Sequence, residues 1–327
     1  MTELYYQKKN ESFKHHKNKY SKKEFFREFG SNWQLYLMAI PTIVWFAIFS
    51  YYPLVWLQIA FKDFNIMDGL FGSPFTKHPF DNFKFYFTSD YFGRTTFNTL
   101  FLNALGIISI TFAAVIIAIL LNEIQKRWVK KLFQSAIFLP HFLSTIIVAA
   151  FVYSMLGDQF GMVNTILKSL GFQPIAFYSI AGIWPIILTL VAVWQGSGFN
   201  SIIYLSAITS IDPELYEAAR IDGATRWCEI KHITIPHLLP TVSILVLLAV
   251  GKIFSGNFSL IYSIVGNNGL LFPTTDVIDT YVYRGLVFDG AIGQSTAVGL
   301  YQSVMGLITV LFFNKLAKKL DDSYGLF

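Results

Sequence analysis

The sequence predicts an all-α integral membrane protein with six transmembrane helices. Three observations lead there. Hydrophobic residues make up 54% of the 327-residue chain and charged residues 14%, against about 25% charged in an ordinary soluble domain. Aromatic residues reach 17%, 33 Phe among them, which suits a surface facing lipid with aromatic side chains at its interfaces. Six stretches are long and apolar enough to cross roughly 30 Å of hydrocarbon at about 1.5 Å per residue. The single Cys228 excludes an intramolecular disulfide framework and a four-cysteine metal site.

Taken in order, residues 1–32 form a basic segment carrying Lys8, Lys9, Lys14, Lys17, Lys19, Lys22 and Lys23. It serves either as a solvated topology signal or as a contact to anionic headgroups, with Phe25, Phe26 and Phe29 dipping into the interface. The first transmembrane helix, 33–61, is built on Gln34–Ala60. It follows a polar stretch, is too long for a cleavable signal peptide and lacks a small-residue cleavage site. Residues 62–94 form an external loop dense in Phe. The core, 95–314, holds the other spans: Thr95–Asn122, Leu132–Leu156, Ile183–Ile208 within a long uncharged region, Leu238–Tyr262 interrupted by Lys252, and Ala291–Asn314. A tail, 315–327, follows.

Orientation comes from Lys and Arg on alternate sides. Eighteen lie in the N-terminus, the 122–131 loop, the 210–237 loop and the tail, whereas six lie on the opposite side. The bias places both termini in the cytoplasm, and an even number of spans agrees by putting both on one side. The 263–290 loop, with its Gly266-Asn267-Asn268-Gly269 turn chemistry, and the 62–94 loop are then external, free either to dock a protein or to anchor aromatics at the interface.

The most informative stretch lies between the fourth and fifth spans. Asp212 is a good N-cap, Pro213 sits where a helix needs no N–H, and Glu214 and Glu217 complement the positive helix end. A short helix therefore runs over about 213–221, and Gly223 stops it in the left-handed backbone glycine tolerates. A second short helix over 225–232 follows, and Pro236 begins the climb into the bilayer. Pieces this short need a partner to pack on.

Glu217-Ala218-Ala219, three residues, Gly223, nine residues, Ile233, one residue and Ile235-Pro236 resemble the E-A-A-x3-G-x9-I-x-L-P signature of the membrane subunits of binding-protein-dependent ABC importers, with Ile235 in place of Leu. Asp222-Gly223-Ala224 and Trp227 resemble the carbohydrate branch of type I importers. Leu139-Pro140-His141-Phe142, Thr280-Tyr281-Val282-Tyr283-Arg284, Ala297-Val298-Gly299-Leu300 and Tyr324-Gly325-Leu326-Phe327 are similar to its oligosaccharide permeases. The resemblance implies a permease subunit in a bacterial cytoplasmic membrane. It implies a second, different permease, a cytoplasmic ATPase dimer that holds ATP and Mg, and an external solute-binding protein. Loop 211–236 becomes a coupling loop seated on the ATPase through Glu217, Ala218, Ala219, Asp222, Gly223, Ala224, Ile233 and Pro236.

Polar groups inside a membrane are expensive and default to function. Lys252 falls near the middle of the fifth span, where three roles are open: donating to sugar hydroxyls, pairing with a partner subunit's carboxylate, or snorkelling. Trp194, Gln195 and Asn200 on the fourth span, with Asn257, supply aromatic faces and amides for a sugar pathway. The alternative is a Gly/Ser-rich interface in which Gln195 and Asn200 satisfy each other. No phosphate-binding Gly-rich loop, catalytic acid–base set or metal-spaced His group occurs. Neither an enzyme nor a nucleic-acid binder is expected, and this chain binds no cofactor of its own. A secondary transporter would need repeated halves and intramembrane carboxylates, which these spans lack; a permease for a non-sugar solute stays open.

Overall fold

The computed structural model describes residues 32–320. Residues 1–31 of the basic segment and residues 321–327, including the Tyr324-Gly325-Leu326-Phe327 run, lie outside them. The chain divides into two compact units at Gln58–Ile59. The first holds α1 (Trp33–Phe46), which continues through a π-turn (Ala47–Tyr51) into a 3-10 run (Tyr52–Phe61) whose last three residues belong to the second, giving a helical stretch of 29 residues. Pro53 has no N–H to donate to the turn before it, so the hydrogen-bond register changes there without ending the helix.

In the second unit, α2 (Asp81–Phe87) precedes α3 (Asp90–Glu123), the longest helix. Next come α4 (Arg127–Phe138), a 3-10 turn (Leu139–Phe142), α5 (Thr145–Leu156) and α6 (Met162–Ser169). α7 (Trp184–Thr209) leads to α8 (Pro213–Ile221). A helical turn (Arg226–Glu229) and a π-turn (Ile230–Thr234) run without a break into α9 (Ile235–Val250). α10 (Phe258–Val265), α11 (Ile278–Val287) and α12 (Ile292–Leu320) complete it. The described residues contain no strand beyond one isolated Lys62–Phe75 bridge. Among the described residues five helical runs are long and apolar enough to cross a membrane, and a sixth span exists if the bent pair α4–α5 counts as one. The fold is thus the all-helical membrane architecture that the composition predicts.

Three expected elements differ. The third span, expected as one crossing over 132–156, bends by 97° between α4 and α5. Pro140 cannot donate back to its preceding turn, and the Ser144 hydroxyl accepts from Ile147 N (3.4 Å), capping a fresh helix. The fifth span, expected over 238–262, begins earlier and ends at Val250. The chain then turns through 251–257 before α10. The 263–290 segment is mostly helical rather than an open loop, and Ile278 and Val277 in it are fully buried.

Helices associate here by close packing, since lipid tails offer no net hydrophobic drive. α3 packs most extensively on α7. Ala114 and Ala118, four apart and fully buried, let α3 approach Tyr204, Leu205 and Ile208. A second cluster joins Val148 and Val152 of α5, Trp184 and Leu188 of α7, and Leu260 and Ile264 of α10. Broken helices leave carbonyls that lipid cannot satisfy. Amides on neighbouring helices supply the donors: Asn98 Nδ2 to Asp276 O (3.1 Å), Asn103 Nδ2 to Ile253 O (2.8 Å) and Gln302 Nε2 to Phe254 O (2.6 Å).

Candidate functional site

The Pro213–Ile221 helix forms over the span its caps predict. Asp212 Oδ1 accepts from Glu214 N at 3.0 Å and Pro213 occupies the first turn. At the other end, Ala224 N donates to Ala219 O (2.9 Å) and Gly223 N to Arg220 O (3.1 Å). This reciprocal pair is the Schellman closure, with Gly223 at φ +81°. A Cβ at Gly223 would meet nothing within 4 Å, so only backbone conformation demands glycine here. Thr225 Oγ1 then caps the next turn by accepting from Cys228 N (3.4 Å).

The second piece, expected as a separate helix over 225–232, is instead the first part of the helix that continues to Val250. Ile233 is half-buried in its π-turn and Pro236 is exposed just beyond it. Glu217, Ala218, Asp222 and Gly223 are exposed, while Ala219 and Ala224 are half-buried. Two apolar side chains face outward beside them: Ile221 is 87% and Trp227 71% exposed.

α8 is held to this helix by contacts that sequence reasoning missed. Glu229, 3% exposed, receives Arg220 Nε (2.9 Å) and Nη2 (3.4 Å) together with Arg226 Nη1 (3.0 Å). The bidentate Arg220 fork is the geometry guanidinium offers a carboxylate. Hydrogen bonding to Glu229 holds the Arg220 guanidinium above its already high range, against some desolvation. Tyr216 OH lies 3.0 Å from Thr234 Oγ1. Between the two elements sits a cavity of about 280 Å³, bordered by Glu123, Glu217, Arg220 and Glu229. The Arg226/Glu229 spacing of three was a readable signal; the nine-residue reach from Arg220 across a glycine turn was not.

The pathway candidates do not form one group. Gln195 donates from Nε2 to Leu143 O (3.0 Å), filling the carbonyl left at the α4–α5 break, so it does not pair with Asn200. Trp194 stacks on Phe151 at 6.1 Å between ring centroids and borders an apolar cavity of about 390 Å³. A Cβ on Gly198 would lie 2.1 Å from Ile137 O. That close approach belongs to a helix interface. Asn257 caps α10 by accepting from Leu260 N (3.3 Å) and borders a different cavity of about 140 Å³ beside Asn103. Lys252, expected mid-span, lies exposed in the turn after Val250. No group of three or more His, Cys, Asp and Glu among the described residues could hold a metal ion.

A second polar centre, also missed, lies where α3 begins. Asp276, with a fully buried side chain, receives Arg94 Nη2 (2.9 Å), Arg284 Nη2 (2.7 Å) and Thr280 Oγ1 (2.9 Å). Nearby, Asp279 accepts from Gly256 N and Gln302 Nε2, and burial lifts its carboxyl above the usual range.

Comparison with known proteins matches residues 110–322 to the family described as binding-protein-dependent transport system inner membrane component. Protein LplB of Bacillus subtilis is 36% identical over 293 residues, which covers 90% of this chain and 91% of LplB. The polygalacturonan/rhamnogalacturonan transport system permease protein YteP of the same organism is 34% identical over 290 residues, 88% of each chain. Among solved structures, a bacterial ABC transporter involved in the import of the acidic polysaccharide alginate superposes with a TM-score of 0.82. It is 35% identical, and the match covers 91% of this chain and 99% of that one.

Proposed function

This chain belongs to the family of binding-protein-dependent transport system inner membrane components, and on that premise we propose that it is one of two different permease subunits of an ATP-driven oligosaccharide importer. An external binding protein delivers the sugar, and a cytoplasmic ATPase dimer drives passage between the permeases. Both termini face the ATPase side, as the placement of Lys and Arg supports. ATP and Mg are held by the partner subunits; this chain supplies half of the pathway and the contact through which the ATPase moves it.

The coupling loop carries the reading. Ile221 and Trp227 present apolar surface to solvent, with Glu217 and Asp222 exposed near them, which is the character of a docking patch. The same loop is fastened by Glu229 to the helix that becomes the fifth span. A partner that grips the patch therefore moves a transmembrane helix directly. The sugar assignment rests on the names of the relatives and on the alginate importer.

Two variants of the assembled complex test the coupling. Gly223→Val forces a β-branched residue into left-handed backbone at a cost of about 1–2 kcal/mol, and Glu217→Lys reverses charge on the exposed face. Both should lose most uptake and retain less ATPase through purification. Normal transport with full ATPase retention in both would refute the assignment.

A further inference from the structure

Four cations open α4: Lys126, Arg127, Lys130 and Lys131. All but half-buried Lys130 are exposed. The helix starts four residues past Glu123, which borders the cavity at the coupling loop, so its foot lies on the same side as that loop. Its other end is far up α7, where Ile137 O meets the backbone at Gly198. Gly198 is eleven residues short of the Thr209 end of α7, about 16 Å along the axis. α4 therefore climbs from the inner membrane surface into the hydrocarbon with its charges gathered at the foot. We propose that the first two turns of α4 bind anionic phospholipid headgroups of the cytoplasmic leaflet; the choice of leaflet rests on the coupling loop being cytoplasmic.

Charge carries the argument. None of the four cations forms an ion pair among the described residues. The sequence has no Asp or Glu between Glu123 and Asp158 to offer one locally. The carboxylates nearest in the fold, Glu123, Glu217 and Glu229, line the coupling cavity with Arg220 and Arg226, and no residue of 126–131 reaches that lining. The first turn of α4 has no acidic residue, so its cations sit at the positive end of a helix dipole, which they repel. An external anion relieves both defects. A phosphodiester fits, since Arg127 can meet two of its oxygens with one fork and the lysines supply point charges.

The apolar side of the same helix says which anion. At a helical period Arg127, Lys130, Lys131 and Gln134 share one face, and Trp128, Leu132, Phe133 and Ala136 the other. Trp128 is 68% and Leu132 59% exposed, one turn apart and beside the cations. A tryptophan at the level of the charges with a leucine above it is the order in which headgroup and acyl chain meet a helix entering a membrane. An acidic protein surface would satisfy the lysines and leave that apolar stripe uncovered.

The test reconstitutes the assembled importer, otherwise free of cysteine, with a bimane on Ser135→Cys, an exposed position of α4. Brominated phosphatidylglycerol and brominated phosphatidylcholine are the quenching probes. At equal mole fraction the anionic lipid should quench about threefold more, and the preference should fade as salt is raised. Lys130→Gln with Lys131→Gln should bring the lipids to parity, whereas Lys130→Arg with Lys131→Arg should keep the preference. Gln134→Glu sets a competing acid one turn from Lys130 and removes no cation, so the signal for sidedness is untouched. It should also lose most of the preference, and it stays informative if the neutralised pair fails to insert. Equal quenching by the two lipids with α4 otherwise unaltered overturns the proposal, as does a preference that survives both the neutralised pair and Gln134→Glu. If those variants keep the preference and shed the ATPase on purification, the cations serve an acidic protein surface and the lipid site is wrong. Labelling of Gln125→Cys by an impermeant maleimide in intact cells would put the foot of α4 outside, overturning the leaflet assignment together with the topology it rests on.

Discussion

Gly198 has no room for a methyl group: a Cβ there would stand 2.1 Å from Ile137 O, far inside van der Waals contact, and a backbone carbonyl cannot step aside as a side chain can. Gly198→Ala should therefore separate α7 from α4 and lower both the yield and the melting temperature of the assembled complex. Gly182→Ala, where a Cβ meets nothing within 4 Å, should leave both unchanged. Equal behaviour of the two variants in thermal unfolding would show that the close approach is not required. The same contrast explains what the sequence disclosed at this scale. Asp212, Pro213 and Gly223 act on their own backbone neighbours, so their roles could be read from local spacing. Gln195 and Arg94 act on Leu143 and Asp276, 52 and 182 residues away, and no local pattern announces such partners. An amide in a span looks identical whether it greets a sugar or a stranded carbonyl.

Among the elements, the fifth span shows how hydropathy misleads. The apolar run crosses Lys252 and continues to Tyr262, and a sliding average cannot see that the chain turns between Gly251 and Gly256, where a Cβ would meet Val310 and Asp279 within 3 Å. The helix stops at Val250, so Lys252 is not a charge in mid-helix but a cation on a turn. It makes no hydrogen bond or ion pair through its side chain among the described residues, and removing it orphans nothing in this chain. Lys252→Met should accordingly assemble at wild-type yield and, if the side chain faces the passage between the permeases, alter substrate-stimulated ATP hydrolysis severalfold. Side-by-side measurement of complex yield and stimulation decides: reduced yield with normal stimulation would make the lysine structural. The third span was harder still to read. Its apolar run gives no sign of the 97° bend, where the Leu143 carbonyl is satisfied by Gln195 of α7, 52 residues away.

For the whole molecule, the sidedness of the chain rests on its distribution of Lys and Arg and is open to labelling. Exposed positions serve best: Met67 is 92% and Phe160 90% exposed on the expected outer side, and Ile221 87% on the inner. Ser73, in an attractive loop, is 3% exposed with its hydroxyl bonded to Gly69 O and is a poor probe. With Cys228 replaced by serine, an impermeant maleimide should label Met67→Cys and Phe160→Cys in intact cells and spare Ile221→Cys until the membrane is opened; the reverse pattern would invert the topology. The fold class was legible from composition because lipid imposes helices on any chain this apolar, whereas the polar centre at Arg94 was not, because it gathers residues from both ends of the core. One further consequence lies in the unbroken helix from Arg226 to Val250. Its 25 residues make a lever of about 37 Å, with no break in the helix between its foot and its far end. Pivoting about its midpoint, it returns a push of a few ångströms on Glu229 as an opposite swing of similar size at Val250, where Asn103 grips the chain just beyond. If a partner subunit pushes at Glu229, the hydrogen-bonded grip of Asn103 at the far end of the helix is a contact that the push strains, well away from the loop that receives it.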